Sequence, residues 1–259
     1  MNTETVLVTG ASSGIGLELA KCFAAEKCDL ILTARNRDAL EKLAVELRRE
    51  HGIKVEIIIA DLSQPESPQK IISEIKGRGI SVDVLVNNAG FGLHGAFSEL
   101  PLKRQLEIVQ VNIAALVELT GLFLPDMLRR NRGGILNVGS VAGFVPGPHM
   151  AVYYASKAFV LSFSESLHEE LRGTKIQVTN LCPGPTESNF SNVARSHRAR
   201  QAQAKKMSAA EVARIGHRDF RAGVHISLPG VINKISAFAP RVFPRGVVRR
   251  LIGRYNKLK

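Results

Sequence analysis

Six short runs of β-branched and other apolar residues recur through the first 182 residues, and segments with helical periodicity separate them. The strand-like runs are Val6–Thr9, Leu30–Thr33, Val55–Ile59, Val84–Asn87, Ile135–Val138 and Ile176–Leu181. In the segment Arg37–Glu50, for example, Leu40, Leu43 and Leu47 fall on one helical face. Strands that alternate with helices at this spacing form a parallel sheet covered on both faces. The sequence therefore predicts an α/β, doubly wound fold.

The 259 residues show no low-complexity linker and no internal repeat, so we predict a single domain over 1–259. The polar N-terminus leads straight into the first strand and has neither the apolar run nor the cleavage site of a signal peptide. No stretch of about 18 apolar residues indicates a spanning helix. Cys22, Cys28 and Cys182 lack metal-ligand spacing, and we expect them to be reduced. These features favour a cytoplasmic protein without a bound metal.

Local signals predict three further elements. Pro101 begins a long helical segment that reaches Arg130, with Pro125 as an expected kink or break. Ser208-Ala-Ala-Glu211 has the spacing of a capping box, which begins a short helix. Val224–Leu228 is a candidate seventh strand at the edge of the sheet.

A glycine-rich turn follows the first strand. Gly10 permits a tight turn, while the missing side chains at Gly14 and Gly16 let the backbone approach a pyrophosphate and let the helix pack closely. The helix would direct its free amide groups and positive dipole end at that anion. Such a turn is a weak signal alone, but its place between a strand and an amphipathic helix strengthens it. We predict a dinucleotide site that also includes Ser12, Ser13 and Ile15.

The end of the second strand discriminates between the two nicotinamide dinucleotides. A site for NAD places an acid there, which accepts hydrogen bonds from the adenosine ribose. Ala34 occupies that position, Arg35 follows it, and Arg37 stands two residues further on. A guanidinium binds a 2′-phosphate through paired hydrogen bonds, whereas a carboxylate would repel it. The sequence therefore favours NADP(H), with a merely solvated Arg35 as the alternative interpretation.

Tyr153 and Lys157 stand four residues apart and so share one face of a helix. A free tyrosine has a pKa of about 10. A neighbouring ammonium favours the phenolate, which would bring the pKa of Tyr153 toward the working range of a base. Two surface residues explain such a pair equally well when it stands alone. Ser140 favours a site, because it follows the fifth strand and so lies at the carboxyl edge of the sheet, where ligands bind.

Together these residues resemble the short-chain dehydrogenase/reductase family over about residues 5–190. The set is Thr9 to Gly16, Asp61 with Leu62, Asn87 to Gly90, Asn112, Ser140, Tyr153 with Lys157, and Pro183 with Gly184. The resemblance implies a Rossmann-type, mostly parallel sheet of seven strands. It also implies an NADP-dependent enzyme that transfers a hydride between nicotinamide and a carbonyl or secondary alcohol. A module that binds NADP(H) without turnover is the alternative, and the complete motif set argues against it.

The resemblance also implies a role for each matching residue. Tyr153 would be the general acid in reduction and the base in oxidation, and Ser140 would hydrogen-bond the substrate oxygen. Lys157 would bind the nicotinamide ribose, and Asn112 would link it to solvent through a water relay. The other positions would contact the cofactor: Asp61 and Leu62 at the adenine, Asn88, Ala89 and Gly90 at the adenosine ribose, and Pro183, Gly184 and Thr186 at the nicotinamide.

Family members usually associate as dimers or tetramers through the helices that carry Asn112 and Tyr153, so the resemblance implies a homo-oligomer. It also implies a substrate lid, here residues 187–228, after the Pro183-Gly184 pair. His149 is a candidate substrate contact, although a solvated loop histidine explains it as well. The apolar residues of the lid segment line a pocket or belong to the core: Phe190, Met207, Val212, Ile215 and Phe220.

The net charge of +12 is concentrated at one end of the chain. Residues 190–259 hold 16 Lys and Arg but only two acids, a balance of +14, which leaves −2 on residues 1–189. Within 230–259, Val248, Leu251, Ile252, Tyr255 and Leu258 fall at helical spacing. Three interpretations stay open: a solvated basic helix, peripheral contact with an anionic membrane that would suit a lipid-like substrate, and attraction of acyl thioesters. We expect no nucleic-acid partner, because no recognition motif accompanies the charge.

Overall fold

The structure, a computed structural model, describes residues 3–188, 190, 194 and 206–257. Its main sheet has seven strands in the order β3-β2-β1-β4-β5-β6-β9, and every neighbouring pair is parallel. The predicted doubly wound sheet is therefore confirmed, and the predicted edge strand is β9. The strands are β1 (Thr5–Thr9), β2 (Asp29–Ala34), β3 (Val55–Ile59), β4 (Val84–Asn87), β5 (Gly133–Val138), β6 (Ile176–Leu181), β9 (Ile226–Ser227), and the separate pair β7 (Thr186–Glu187) and β8 (Met207–Ser208).

Helices cover both faces of the sheet. The Ser208 half of the predicted capping box is present, since the Ser208 hydroxyl accepts a hydrogen bond from the Glu211 backbone N–H at 3.1 Å. The helices are α1 (Gly14–Ala25), α2 (Arg37–His51), α3 (Ser67–Gly77), α4 (Leu102–Val109), α5 (Ala115–Arg130), α6 (Ala151–Glu170), α7 (Ala209–Arg221), α8 (Val231–Phe238) and α9 (Arg245–Asn256), with short 3-10 turns at Val141–Phe144 and Ala239–Arg241.

Two cores lie on opposite faces of the sheet, because successive strand residues point to opposite sides. Val6 and Val8 pack with α1, α2 and α7, whereas Leu7 packs with α3, α5 and α6. Val212 and Phe220 of the predicted lid segment belong to the first core. These two residues therefore stabilise the fold rather than line a pocket.

The segment Leu102–Arg130 is helical throughout, so of the kink or break expected at Pro125 the break does not occur. Phe123 and Met127 flank Pro125 and are buried in the core, so packing holds the helix across the missing amide. The irregular turn is instead a π-helical one at Gln110–Ala114.

The same segment, Leu102–Arg130, is long enough and, with a mean hydropathy of 1.7, apolar enough to cross a membrane. No spanning helix was expected from the sequence. A core helix of a globular protein passes the same criterion, and this one packs on the sheet.

The order of the strands reverses between β1 and β4. From β1 the chain winds outward to β3 and then returns to form β4 on the other side. Loops that leave two such strands diverge, and the crevice at their carboxyl ends is where ligands bind in open α/β sheets. The fold thus places the glycine-rich turn after β1 beside Asn88, Ala89 and Gly90 after β4.

Residues 189, 191–193 and 195–205 of the predicted lid, and Leu258 of the C-terminal segment, lie outside the described residues. The division into a single domain with a lid stays a prediction.

Cys28 and Cys182 are buried and Cys22 is half-buried, and all three are free thiols.

Candidate active site

A cavity of about 1750 Å³ opens at the carboxyl ends of the strands. Pockets for drug-sized ligands span roughly 300–1,000 Å³, so this one has room for a dinucleotide and a substrate together. Of the predicted site residues, only Gly16, Arg37 and Asn112 do not line it. Those that do are Gly10, Ser12, Ser13, Gly14, Ile15, Arg35, Asp61, Leu62, Asn88, Ala89, Gly90, Ser140, Tyr153, Lys157, Pro183, Gly184 and Thr186.

The glycine-rich turn has the geometry that its sequence predicts. Gly10 and Gly14 have φ of +65° and +58°, in the left-handed region that favours glycine. A Cβ on Gly16 would lie 2.5 Å from the Gly10 carbonyl oxygen and 2.3 Å from the Asn88 side-chain nitrogen. Gly16 therefore acts through close packing of α1 on the turn, which explains its position behind the cavity wall.

The N-terminus of α1 faces the cavity without a side-chain cap. Ser13 stands at the N-cap position but accepts no hydrogen bond from the first turn through its hydroxyl. Amide donors left free at a helix N-terminus bind anions, helped by the helix dipole. This end of α1 therefore fits the pyrophosphate of a dinucleotide.

Asn88 and Thr9 join the loops after β4 and β1. The Asn88 side chain donates hydrogen bonds to the carbonyl oxygens of Thr9 and Gly10, at 2.8 and 3.2 Å. In return the Thr9 hydroxyl accepts from the backbone N–H groups of Asn88 and Ala89, at 2.9 and 3.0 Å. The sequence analysis named Thr9 only as part of a motif, so this structural role was missed. Its signal was a hydroxyl side chain at the last position of the predicted strand Val6–Thr9, whose other residues are aliphatic.

The end of β2 separates the two arginines that sequence reasoning grouped together. Arg35 lies in the cavity wall, whereas Arg37 on α2 pairs with Glu41 at 3.5 Å on the exposed surface. Between them the Asn36 side chain caps α2 by accepting from the Ala39 N–H at 3.0 Å. Of the two arginines, only Arg35 therefore lines the cavity. Asp61 and Leu62, after β3, line the same end of the cavity.

Tyr153 projects from α6 into the cavity and hydrogen-bonds with Ser140. Burial raises the pKa of Tyr153 above its ordinary value, and the hydrogen bond with Ser140 opposes this only in part. The sequence-based expectation of a lowered pKa is therefore wrong for the free protein, because desolvation of the phenolate outweighs its neighbours. Tyr153 is a protonated phenol, the form that donates a proton.

Lys157 lies one turn further along α6 and is buried. Its Nζ donates a hydrogen bond to the Val138 carbonyl oxygen at 2.7 Å and lies 6.0 Å from the centre of the Tyr153 ring. Burial lowers the pKa of Lys157 to about 8. The predicted convergence of Lys157, Tyr153 and Ser140 is present in the structure.

Asn112 lies in the π-helical turn and is buried behind the cavity wall. Its side chain donates to the Phe91 carbonyl and the Ser156 hydroxyl, at 3.0 and 2.9 Å, and accepts from the Phe91 N–H at 3.1 Å. A Cβ placed on Gly90 would lie 3.1 Å from Asn112 Oδ1 and 3.5 Å from Lys157 Nζ. Gly90 therefore keeps an approach open between Asn112 and Lys157. Single π-turns of this kind are frequent at functional sites.

The family model for short chain dehydrogenases matches residues 4–199. This chain belongs to the short-chain dehydrogenase family. Enzymes of this family act on CH–OH and C=O groups, and this dehydrogenase is an oxidoreductase of carbonyl or alcohol substrates that uses a nicotinamide cofactor.

Two curated relatives show the range of substrates around this dehydrogenase. Sulfoacetaldehyde reductase 2 of Chromohalobacter salexigens is 37% identical over 74% of this chain and 76% of its own length. The very-long-chain 3-oxoacyl-CoA reductase of Anas platyrhynchos is 34% identical over 73% of this chain and 62% of its own length. The first relative is named for sulfoacetaldehyde and the second for very-long-chain 3-oxoacyl-CoA.

Two solved structures resemble the dehydrogenase over nearly its whole length. A short-chain dehydrogenase from Sphingobium yanoikuyae in complex with NADPH has a TM-score of 0.84 and 32% identity, and the match covers 94% of each chain. One from Burkholderia phymatum in complex with NAD has a TM-score of 0.82 and 26% identity, covering 93% of this chain and 92% of that one. The family thus establishes a nicotinamide dinucleotide, while NADP against NAD depends on the residues of this chain.

C-terminal elements of the dehydrogenase complete the cavity, and sequence reasoning did not identify them. Asn233 of α8 packs on Gly184, where a Cβ would lie 2.2 Å from its Oδ1. Nothing in the sequence marks this contact, because 48 residues separate the two positions. Phe190 and Met207, which the sequence offered as pocket or core residues, line the cavity, and the Phe190 ring lies 5.1 Å from the Tyr153 ring, centre to centre. They form its apolar wall together with Val231, Ile232, Leu251 and Ile252, which the sequence did not indicate. His149 stacks on His94 instead and is not among the residues that line the large cavity.

Proposed function

We propose that this dehydrogenase is an NADP(H)-dependent reductase of ketones or aldehydes in which Tyr153 is the general acid. The observation that carries the proposal is the convergence of Tyr153, Ser140 and Lys157 on one wall of a cavity whose other end has Arg35. Oxidation of the corresponding alcohol is the same chemistry in reverse. A module that only binds the cofactor would not need these three side chains together.

The chain's own residues would handle the proton and the substrate oxygen. NADPH, when bound, supplies the hydride, and the protein supplies orientation and a proton donor. Ser140 would hydrogen-bond the carbonyl oxygen beside Tyr153. As negative charge develops on that oxygen, the phenol of Tyr153 would transfer its proton to it. The raised pKa of Tyr153 suits this direction, because it keeps the phenol protonated near neutral pH.

Lys157 and Asn112 would support this transfer. The Lys157 ammonium would bind the ribose hydroxyls of the nicotinamide nucleoside and favour the phenolate that Tyr153 becomes. Asn112 would hold the backbone of Phe91 and the hydroxyl of Ser156, and so fix the space around Gly90 through which water reaches Lys157. Pro183, Gly184 and Thr186 would hold the nicotinamide, with Asp61, Leu62, Asn88 and Ala89 around the adenosine.

Mutation of the general acid tests the reaction. We expect Tyr153→Phe to lower kcat for NADPH oxidation with a panel of ketones by roughly 10²–10⁴-fold, the usual contribution of general acid catalysis. Tyr154→Phe is the matched control, because the Tyr154 hydroxyl bonds Asn256 of α9 at 3.2 Å instead of the reacting groups. Equal kcat in native protein and Tyr153→Phe would remove the mechanism.

The preference for NADP(H) rests on Ala34 and Arg35, and the NADPH complex of the Sphingobium yanoikuyae relative supports it. We expect Arg35→Ala to weaken NADPH binding at least about tenfold and to leave NADH binding unchanged, since one charge-assisted hydrogen bond is worth about 1.5–3 kcal/mol. Fluorescence titration with both dinucleotides measures this. Arg37→Ala is the comparison, and its pair with Glu41 predicts little effect. An equal loss of both cofactors in Arg35→Ala would contradict the proposal.

A lipid-like or acyl-thioester ketone is the second candidate substrate. The apolar cavity wall from Phe190, Met207 and the C-terminal helices favours it, and the 3-oxoacyl-CoA reductase relative supports it. The assay panel should therefore contain long-chain ketones beside short ones. We keep a cytoplasmic location, with or without peripheral membrane contact, as part of the proposal.

A homo-oligomer through the helices of Asn112 and Tyr153 also remains a proposal. Exposed apolar side chains support it: Leu102, Leu106, Val109, Val117 and Leu128 along α4 and α5, and Phe159 on α6. Contact between two copies would bury them. Light scattering after size-exclusion chromatography would distinguish a monomer from a dimer or tetramer.

A further inference from the structure

Helix α8 exposes its large apolar side chains and turns the smaller residues Asn233 and Ala237 inward. Val231, Ile235 and Phe238 follow one another at i, i+4 and i+7, and they are 71, 64 and 61% exposed. On the opposite face Ala237 is buried, and Asn233 donates a hydrogen bond to the Pro229 carbonyl. A helix of a globular protein normally has the reverse arrangement, so this face needs a partner other than water.

The chain that follows α8 extends the same kind of surface. We name the C-terminal apolar surface by its eight exposed members: Val231, Ile232, Ile235, Phe238, Val242, Phe243, Val247 and Leu251. Clusters of this size are rare on monomers unless they bind something. The surface joins α8, the turn after it and α9.

Positive charge accompanies the C-terminal apolar surface, and its own segment of the chain contains no acid. On α9, Arg250 and Arg254 lie on the same helical face as Val247 and Leu251, at i, i+3, i+4 and i+7. The sequence contains no Asp or Glu from 220 to 259. The exposed bases around the surface are Lys234, Arg241, Arg245, Arg249, Arg250, Arg254 and Lys257. The occupant must therefore offer apolar area and negative charge together.

The C-terminal apolar surface and the cavity share residues. Val231, Ile232 and Leu251 are exposed to solvent and also line the cavity that contains Tyr153. The same two helices add Asn233, Ser236 and Ile252 to the cavity wall. An occupant of the surface would lie directly at this part of the cavity.

We propose that the C-terminal apolar surface docks on an anionic phospholipid bilayer and that a carbonyl compound dissolved in the bilayer enters the cavity past α8 and α9. Apolar side chains ringed by Lys and Arg bind at the interface of such a bilayer. The entry of substrate rests on the proposed reductase function, whereas the docking does not. A second copy of the chain fits less well, because symmetrical pairing would bring the Lys and Arg residues of two such surfaces together.

Co-sedimentation with vesicles tests the docking. We expect the native protein to bind vesicles of phosphatidylcholine mixed with phosphatidylserine and to bind pure phosphatidylcholine at least about tenfold more weakly. Ile235→Ser with Phe238→Ser should reduce binding to the anionic vesicles at least about tenfold, since it removes buried apolar area. Arg250→Gln with Arg254→Gln should do the same through charge. Val45→Ser, an equally exposed apolar residue on α2, is the matched control and should bind like the native protein.

Activity assays separate the docking from the reaction. Neither Ile235 nor Phe238 lines the cavity, so their double variant should reduce a soluble ketone at the native rate. With a long-chain methyl ketone dissolved in anionic vesicles, its rate should fall at least about tenfold, in step with membrane binding. Tyr153→Phe should show the converse, with native vesicle binding and a kcat lowered for soluble and membrane-dissolved ketones alike.

Two results would overturn the proposal. Native protein that reduces ketones but does not distinguish anionic from neutral vesicles would remove the docking while leaving the reductase function intact. An Ile235→Ser, Phe238→Ser variant that changes from dimer to monomer, with no vesicle binding in either protein, would identify a second copy as the occupant.

Discussion

The side-chain amide of Asn88 donates a hydrogen bond to the carbonyl oxygen of Thr9 at 2.8 Å, and so ties the loop after β4 to the end of β1. The same amide reaches the Gly10 carbonyl, while the Thr9 hydroxyl accepts from the Asn88 backbone. The glycine-rich turn is thereby held from the neighbouring strand. Its conformation depends on this contact as well as on its own glycines.

We expect Asn88→Ala to weaken NADPH binding at least about tenfold and to lower the free energy of unfolding by about 1 kcal/mol, the net value of a typical hydrogen bond. Titration calorimetry and urea unfolding measure the two effects. Gln69→Ala is the control, because Gln69 bonds Glu118 on the exposed surface and should alter neither quantity. Unchanged NADPH affinity in Asn88→Ala would show that the turn needs no support from β4.

Close packing at Gly16 predicts a second stability effect. A Cβ at this position would meet Gly10 and Asn88 atoms at 2.5 Å or less, so we expect Gly16→Ala to destabilise the protein by about 1–3 kcal/mol. Gly121→Ala in α5 is the matched control. A Cβ there would have no neighbour within 4 Å, and we expect a gain of roughly 0.5–1 kcal/mol from helix propensity. Opposite signs of the two changes in urea unfolding support this packing; equal signs contradict it.

The lowered pKa of Lys157 predicts a pH-dependent stability. Between about 8, its pKa in the folded protein, and its ordinary 10.5, the unfolded chain binds more protons. The free energy of unfolding therefore gains a contribution as pH rises through this window. Lys157→Met removes the cost of the buried charge, so the variant should be more stable than the native protein at pH 7. The gain is at most roughly 3 kcal/mol, since one pKa unit corresponds to about 1.4 kcal/mol.

Urea unfolding of native protein and Lys157→Met across this range measures the effect. The advantage of the variant should shrink from about pH 8 upward and vanish by about 10.5, while kcat is lost at every pH. The difference between the two proteins matters, because other groups titrate in both. A difference in stability that stays constant with pH would contradict the assignment of this titration to Lys157.

Asp83, remote from the cavity, predicts an acid-sensitive contribution to stability. Its buried carboxylate accepts from the Thr5 backbone N–H at 3.0 Å and pairs with Arg130 and Arg132. Burial opposes its ionisation, but these partners outweigh it and lower the pKa of Asp83. Asp83→Ala removes the acceptor of the Thr5 N–H and the partner of Arg132, while Arg130 keeps its pair with Asp126, so it should cost about 1–3 kcal/mol. More exposed Asp126 is the control, and Asp126→Ala should cost at most about 1 kcal/mol.

The sign follows from linkage. The folded pKa of Asp83 lies below its ordinary 3.8, so the stabilisation is present above that value and is lost as pH falls through the folded pKa. Unfolding midpoints of native protein and Asp83→Ala should therefore converge in acid. A gap that persists undiminished below the folded pKa would show that charge plays no part.

The sequence by itself determined the six main strands, the glycine-rich turn and the Tyr153 and Lys157 pair. Each depends on periodicity or spacing within one element: buried parallel strands are apolar on both faces, and residues four apart share a helix face. Pro125 shows the limit of such reasoning: a kink or break was expected there, and the helix continues unbroken because buried neighbours on both sides of Pro125 hold it.

Tertiary structure alone decided which groups meet between elements and how far they are desolvated. Arg35 lines the cavity, whereas Arg37 pairs with Glu41 on the exposed surface. Asn233 packs on Gly184, 49 positions earlier in the chain, and α8 and α9 line the cavity. Tertiary structure also raised the pKa of Tyr153, which spacing alone predicted to fall. The physical reason is that the free energy of a charge depends on the whole surrounding volume, and only the packed chain determines what fills that volume.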